Sequence, residues 1–168
     1  MALRETPELW RTPETIALAL AMIGSHHDLT GRALIALPTD GAPADDVAIA
    51  AALYHAPQVV LAHNAAEDPV FIYANRCAQA LWELDWHAFL SLPSQQSAAP
   101  AARAERAALL ARVRERGFID DYRGERVSAS GRRFTIEQAT VWNLPPGPGR
   151  SGQAATFARW SRSDGIPG

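Results

Sequence analysis

The first third of the chain carries apolar residues at helical spacing. Thr12 followed by Pro13 predicts a helix start, because Thr is a common N-cap and Pro is tolerated at the first helical position. Beyond them, three apolar residues recur at i, i+4 and i+7 on one face: Ile16, Leu20 and Ile23. We therefore predict a helix over residues 13–27, followed by a second helix over about 45–55 whose first residues are carboxylates.

The middle of the chain changes to short β-branched and aromatic runs. Residues 58–63 and 69–74 predict two strands with a short polar connection, which favours a hairpin or an adjacent pair. Asn75 is a good N-cap for a helix that runs through Trp82. Residues 85–92 then predict a further short helix or turn.

The second half begins with a longer predicted helix. Ser97 is its candidate N-cap, Pro100 is tolerated in its first turn, and Gly117 is a natural residue for its C-terminal end. The buried stripe of this helix consists of Leu109, Leu110 and Val113. Three strands are expected after it, over residues 118–127, 132–143 and 153–160.

This order of elements predicts an α+β fold. We expect five strands in an antiparallel sheet, with helices packed on one side and a bulge near Gly124. Residues 1–50 are expected to form a helical N-terminal extension that packs on the core, and residues 51–162 the main domain. Residues 163–168 are expected to be a frayed tail.

Several short motifs resemble one family. The element order, with Tyr73-Ala-Asn75 closing the second strand, is similar to the PAS sensory fold, and the chain resembles bacterial stand-alone MEKHLA-domain proteins from about Ala52 to Trp160. The matching segments are residues 68–75, 92–94, 97–98, 117–122, 131–134, 141–143 and 152–155. The resemblance implies a PAS-like fold and brings with it no agreed ligand, reaction or catalytic residue.

Composition and charge narrow the function classes. The chain has 168 residues, 48% of them hydrophobic, and a net charge of −2, with no basic excess of the kind that marks a nucleic-acid interface. Its longest apolar run, residues 16–23, is too short to span a membrane, and the N-terminus lacks a signal-peptide layout. We therefore expect a cytoplasmic protein that binds neither nucleic acid nor membrane.

Candidate catalytic and cofactor residues are few. The five His are scattered without metal-ligand spacing, and we predict neither a metal site nor an enzyme. Cys77 precedes the position at which flavin-binding PAS relatives carry their reactive cysteine, so a buried thiol is favoured over a flavin adduct. His87 is the candidate for a haem ligand and is not favoured either, which leaves the cofactor unknown.

The basic stripe of the longer predicted helix has two interpretations. Its arginines are Arg103, Arg106, Arg112 and Arg116. Because Glu105 and Glu115 lie between them, a solvated helix face is favoured over a phosphate-binding surface.

The predicted ligand site is built on the strand 134–142. Alternation would place its aromatic residues, an amide and a hydroxyl on one inward face, where each polar group would need a partner. A pocket of aromatic walls with a few polar groups is typical of a small-molecule site, although the same residues could form a filled core. The candidate ligand-binding residues are Tyr73, Trp82, Trp86, Phe134, Gln138, Thr140 and Trp142.

Two function hypotheses follow. The first is a PAS-like sensory module that binds a small apolar or aromatic ligand between sheet and helices, with its output passing to a partner chain. The alternative is a protein-interaction module with a filled core and no ligand, which would form a homodimer through the helix over residues 13–27.

Overall fold

A computed structural model describes residues 8–38, 43–97, 103–147 and 151–162. After a short 3-10 helix at Leu9–Arg11, the described α-helices are α1 (Pro13–Thr30), α2 (Asp46–Tyr54), α3 (Arg76–Trp82), α4 (Trp86–Leu90) and α5 (Arg103–Arg116). The described strands are β1 (Val59–Asn64), β2 (Phe71–Ala74), β3 (Phe118–Val127), β4 (Arg133–Asn143), β5 (Gly152–Phe157) and β6 (Arg159–Arg162). The predicted tail and the predicted position of Pro100 lie outside the described residues.

The strands form one antiparallel sheet. Its order is β2-β1-β5-β4-β3, and β6 pairs with the first half of β4. β1 and β2 are adjacent, and β3, β4 and β5 form a meander, as predicted. The pairing of β3 with β4 shifts register near Gly124, where a bulge in β3 was expected, but the extra residue there lies on β4, between Ile136 and Ala139. The α+β prediction with an antiparallel sheet is confirmed.

Helices cover both faces of the sheet, so the expectation of helices on one side is wrong. α3 and α5 pack on one face, here called the inner face, with Val59 and Leu61 of β1, and α4 contributes Phe89 to this face and Trp86 to the other. α1 and α2 pack on the other, the outer face, with Val60 and Ala62 of the same strand. The physical reason is that β1 is apolar at consecutive positions, so neither of its faces suits water.

α1 buries a stripe slightly different from the predicted one. Its fully buried residues are Leu18, Ala19, Met22 and His26, whereas the predicted stripe is only partly buried. The imidazole of His26 lies edge-on to the Trp142 ring, with the ring centroids 4.9 Å apart. Burial lowers the pKa of His26 below its ordinary value.

A local irregularity in β4 changes which side chains face inward. Gln138 has a φ of 50°, in the left-handed region, and its side chain is exposed. Phe134 and Ile136 lie on the inner face before this residue, and Ala139 and Val141 lie there after it. The prediction that every second residue from 134 to 142 shares one face is therefore wrong beyond Ile136, because alternation holds only for an uninterrupted strand.

The same irregularity divides the last predicted strand. Thr140 pairs with Thr156 of β5, and Glu137 pairs with Arg159 of β6. Regular pairing is interrupted between these two points, opposite Gln138. The structure therefore has β5 and β6 where the sequence predicted one strand.

Side-chain caps begin four of the helices. Thr12, Asp45, Asn75 and Asp85 each accept a hydrogen bond from a backbone N–H of the first turn. The hydroxyl of Ser97, predicted to cap α5, instead donates to the Ser94 carbonyl at 2.7 Å. The predicted C-terminal end is correct: Gly117 has a φ of 90°, and its N–H donates to the Val113 carbonyl.

Candidate ligand cavity

A cavity lies between the inner face of the sheet and the helices. Its volume, measured as the space open to the centre of a water-sized sphere, is about 40 Å³. The walls are mostly apolar, with Leu109 and Leu110 of α5 facing Ile136, Ala139 and Val141 of β4. A cavity of this size suits a molecule of a few non-hydrogen atoms.

Only one of the predicted site residues lines this cavity. Trp82 lies in its wall, and its ring packs edge-on against Phe134, with the centroids 5.0 Å apart. Gln138 is exposed, and its Oε1 accepts a hydrogen bond from Nη1 of Arg159 at 3.2 Å. Thr140 is buried, and the irregularity at Gln138 turns it away from the inner face. The expectation that Gln138 and Thr140 supply inward polar contacts is therefore wrong.

The other predicted aromatic residues belong to the outer face. Tyr73 and Trp86 pack edge-on there, with their ring centroids 5.6 Å apart. Trp142 is fully buried beneath α1, and its indole N–H donates to the Ser25 hydroxyl at 3.0 Å. These three rings fix α1, α2 and α4 to the sheet and do not line the cavity.

His63 and Gln153 supply the cavity with unpartnered hydrogen-bond acceptors. They are opposite each other on β1 and β5, and both are buried. Nδ1 of His63 lies 2.8 Å from the Asn64 carbonyl, so this nitrogen carries the proton and Nε2 is left as an acceptor. The Gln153 amide donates to the Leu110 carbonyl at 3.0 Å, which leaves its Oε1 without a partner.

The His63 ring is neutral at ordinary pH. Burial lowers its pKa to about 4, and the nearby Arg106 and Arg114 act in the same direction. The hydrogen bond to Asn64 opposes this shift without cancelling it. His63 is therefore an acceptor in the cavity wall and contributes no charge.

Two buried arginines give the cavity its charge. Arg106 of α5 is 8% exposed and Arg126 of β3 is 7% exposed, and both line the cavity. Burial lowers the pKa of Arg106 to about 10, and the neighbouring guanidinium of Arg126 adds to the shift. A pKa of about 10 still leaves Arg106 charged at neutral pH, so two cations share this space.

Neither cation is neutralised within the described part of the chain. No described Asp or Glu forms an ion pair with Arg106 or Arg126. Arg126 donates from Nη1 to the Glu125 carbonyl at 2.9 Å and lies over the Tyr122 ring, 5.3 Å from its centroid. Among the described residues, Arg106 has no hydrogen-bond partner. The solvated-face interpretation of the basic stripe is therefore wrong for Arg106.

The sequence did contain signals for these two arginines. Arg106 precedes Leu109, Leu110 and Val113 by three, four and seven positions, which is the spacing of the buried stripe itself. Arg126 follows Tyr122 by four positions on β3, so strand alternation places both on the same face. The burial of Arg106 was not predicted because Glu105 and Glu115 lie between the arginines of α5 and indicated a solvated face.

The described residues contain no group of three or more His, Cys, Asp or Glu placed to hold a metal ion. Among the helices formed by these same residues, none combines the length and hydropathy of a membrane span.

The fold indicates the structural class of this protein, and a comparison of its sequence with protein-family profiles indicates its family. An antiparallel sheet with helices over a cavity on its inner face is the arrangement of PAS and LOV domains. The sequence profile of the MEKHLA domain family matches residues 16–162, and the chain belongs to this family. Because the match begins at Ile16, it includes α1 and α2. No curated protein is significantly similar in sequence.

Solved structures support the same fold. An RNA-binding light-oxygen-voltage receptor is 16% identical, with a TM-score of 0.55 over 71% of this chain and 35% of the receptor chain. The PAS domain of a Colwellia psychrerythraea protein is 13% identical, with a TM-score of 0.53 over 64% of this chain and 89% of that domain. A light-oxygen-voltage domain studied with a flavin analogue is 16% identical, with a TM-score of 0.52 over 68% and 83% of the two chains. This chain spans about a third of the length of the RNA-binding receptor.

The cavity does not fit a flavin or a haem. Cys77 lies on α3 outside the cavity lining, and its thiol donates to the Pro57 carbonyl at 3.4 Å. Burial raises the pKa of Cys77, which disfavours the thiolate. His87 is exposed on α4 and also lies outside the lining. A space of about 40 Å³ is far smaller than either ring system.

Proposed function

We propose that this protein is a sensory module that binds a small molecule between the inner face of its sheet and helices α3 and α5. The observation that carries the proposal is a set of buried, unpartnered polar atoms in a cavity wall that is mostly apolar. Nε2 of His63, Nε1 of Trp82 and Oε1 of Gln153 have no hydrogen-bond partner. Each such atom costs about 1–3 kcal/mol when it is left unpaired, and a ligand would remove part of that cost.

The proposed ligand has a short apolar body. Leu61, Ile136 and Val141 supply apolar contacts, while the unpartnered atoms supply a few directional ones. A pocket of this composition favours a molecule with one polar end. In this proposal the module senses by binding, performs no catalytic step and acts in the cytoplasm.

The output is proposed to pass to another chain. α1 packs on the domain's own sheet, so a homodimer or signalling partner would contact its solvent-facing side. Leu29, at the end of α1, is 38% exposed and is a candidate contact. Light scattering of the full chain tests the homodimer, and a monomeric mass at micromolar concentration would argue against it.

A filled core without a ligand is the alternative, and the small cavity volume favours it. Trp82 packs against Phe89, Phe134 and Phe157 with centroid distances from 5.0 to 6.1 Å, so aromatic rings already occupy much of this layer. Under this alternative the cavity is a packing defect that holds ordered water. Protein interaction would then be the whole function.

A cavity-filling substitution separates the two functions. Ala139→Leu places a larger side chain in the cavity, and Ala155→Val is a milder second version. Ala104→Leu, on the exposed side of α5, is the matched control. We expect native mass spectrometry or a metabolite screen by thermal shift to detect a ligand with the wild type and the control only.

One combination of results would refute ligand binding. If the wild type carries no small molecule and no metabolite raises its melting temperature, the ligand-binding function is refuted. Circular dichroism spectra identical to the wild type will show that the filled variants remain folded.

A further inference from the structure

The cavity contains charge that the described protein does not neutralise. Arg106 and Arg126 are both more than nine-tenths buried and line the same space. Burying a cation without a counter-charge is costly, so buried arginines are normally paired with carboxylates. The chain places no described carboxylate beside either residue.

The stretch of sequence between Ser97 and α5 contains no acid either. Residues 98–102 are Ala and Pro only. Those residues have no side chain that could neutralise a guanidinium. A counter-charge from outside the chain would remove the imbalance.

The N–H donors of the two arginines and the apolar cavity wall together indicate which kind of anion would fit. A guanidinium has five N–H donors arranged to bind a carboxylate through two oxygens, and most of those on Arg106 and Arg126 have no described partner. The rest of the wall is mainly aliphatic, which disfavours a fully hydrated anion such as phosphate. The small volume limits the aliphatic part to a few carbons.

We propose that the cavity binds a short-chain carboxylate, with its carboxyl group held by Arg106 and Arg126 and its carbon chain against Ile136 and Val141. This proposal rests on the proposed ligand-binding function and specifies the ligand class. The unpartnered acceptors of His63 and Gln153 would receive a hydroxyl or a water molecule next to the carboxylate. The buried cations thus act as specificity determinants for a small organic acid.

A comparison of a charged and an uncharged ligand of the same shape tests this proposal. Propionate and propionamide are titrated into the full-length protein by calorimetry at neutral pH and constant chloride. We expect propionate to bind about 10- to 100-fold more tightly, as the loss of charged hydrogen bonds predicts. Inorganic phosphate is titrated alongside them and is expected to bind more weakly than propionate.

Variants assign the effect to the two arginines. Arg106→Gln and Arg126→Gln should each weaken propionate binding about 10- to 100-fold while changing propionamide binding little. Arg112→Gln, on the exposed side of α5, is the matched control and should bind like the wild type. Because Arg106→Gln removes an unpaired buried charge, its melting temperature without ligand should equal or exceed that of the wild type.

The outcomes distinguish this proposal from the broader one. Equal binding of propionate and propionamide, stronger binding of phosphate, or full propionate binding by both glutamine variants would overturn the carboxylate assignment and leave ligand binding intact. If neither compound binds and no metabolite raises the wild-type melting temperature, both proposals fail.

Discussion

Asn75 satisfies four backbone groups at once. Its Oδ1 accepts from the N–H groups of Val60 and Ala78, both at 3.0 Å. Its Nδ2 donates to the carbonyls of Gln58 and Leu53, at 2.8 and 3.4 Å. The side chain is fully buried. The predicted helix cap is thus also the residue that ties β1 and α2 to the start of α3.

Asn75→Ala tests this role. The change leaves the buried N–H groups of Val60 and Ala78 without partners, so we expect a loss of about 3 kcal/mol in the free energy of unfolding. Asp85→Ala removes an ordinary exposed cap and should cost about 1 kcal/mol. Urea unfolding of both variants measures the difference, and equal losses would refute the account of Asn75.

His63 makes stability depend on pH in a specific window. Its pKa is about 4 in the folded protein, against 6.5 for the unfolded chain. The unfolded state therefore binds more protons between these values, and stability falls as the pH drops from about 6.5 to about 4. At about 1.4 kcal/mol for each pH unit, the contribution is about 3 kcal/mol.

Substitution isolates the contribution of this residue. In His63→Gln the slope of unfolding free energy against pH should become shallower between about pH 6.5 and 4. His87→Gln, an exposed histidine, should retain the wild-type slope. Urea melts at several pH values provide the comparison, and parallel curves for the wild type and His63→Gln would contradict the buried neutral ring.

At the scale of elements, one backbone angle in β4 decides which side chains reach the cavity. The left-handed conformation of Gln138 puts Ala139 and Val141 on the inner face and turns Trp142 towards α1. Two-residue alternation could not reveal this, because Gln has no special preference for the left-handed region. For Arg106, in contrast, the local sequence pattern was informative, because its helical spacing placed it on the buried stripe of α5.

Substitutions at Gln138 test the irregularity. Gln138→Gly relieves the left-handed conformation and should leave stability unchanged or raise it by up to about 1 kcal/mol, after allowing for the greater freedom of the unfolded chain. Gln138→Val places a β-branched residue at a positive φ and should cost about 1–2 kcal/mol. Glu137→Val, in the adjacent extended position, is the control and should be nearly neutral. Thermal melts in which valine is tolerated equally at both positions would show that β4 is regular.

At the scale of the whole molecule, the sequence predicted more of the architecture than of the site. The caps Thr12 and Asn75, the C-terminal Gly117 and the short β-branched and aromatic runs were sufficient to predict the order of elements up to β5. The site depended on which face each element turns towards the sheet. That information lies in long-range packing, such as the contact of Trp142 with Ser25, and no local pattern encodes it.

Covering both faces gives the domain two separate apolar layers. The outer layer is closed by α1 and α2, while the inner layer contains the cavity and the buried cations. A ligand in the inner layer would contact β4 and α5 together. Because Trp142 of β4 is hydrogen-bonded to Ser25 of α1, binding would reach the helix that is proposed to meet a partner chain.

The most direct test of ligand binding is a high-resolution crystal structure of protein purified from its expression host. The account predicts electron density for a small molecule between Ile136 and α5, within hydrogen-bonding distance of Arg106 and Arg126. A cavity closed by contact of the surrounding side chains, or one that contains only water, would contradict it.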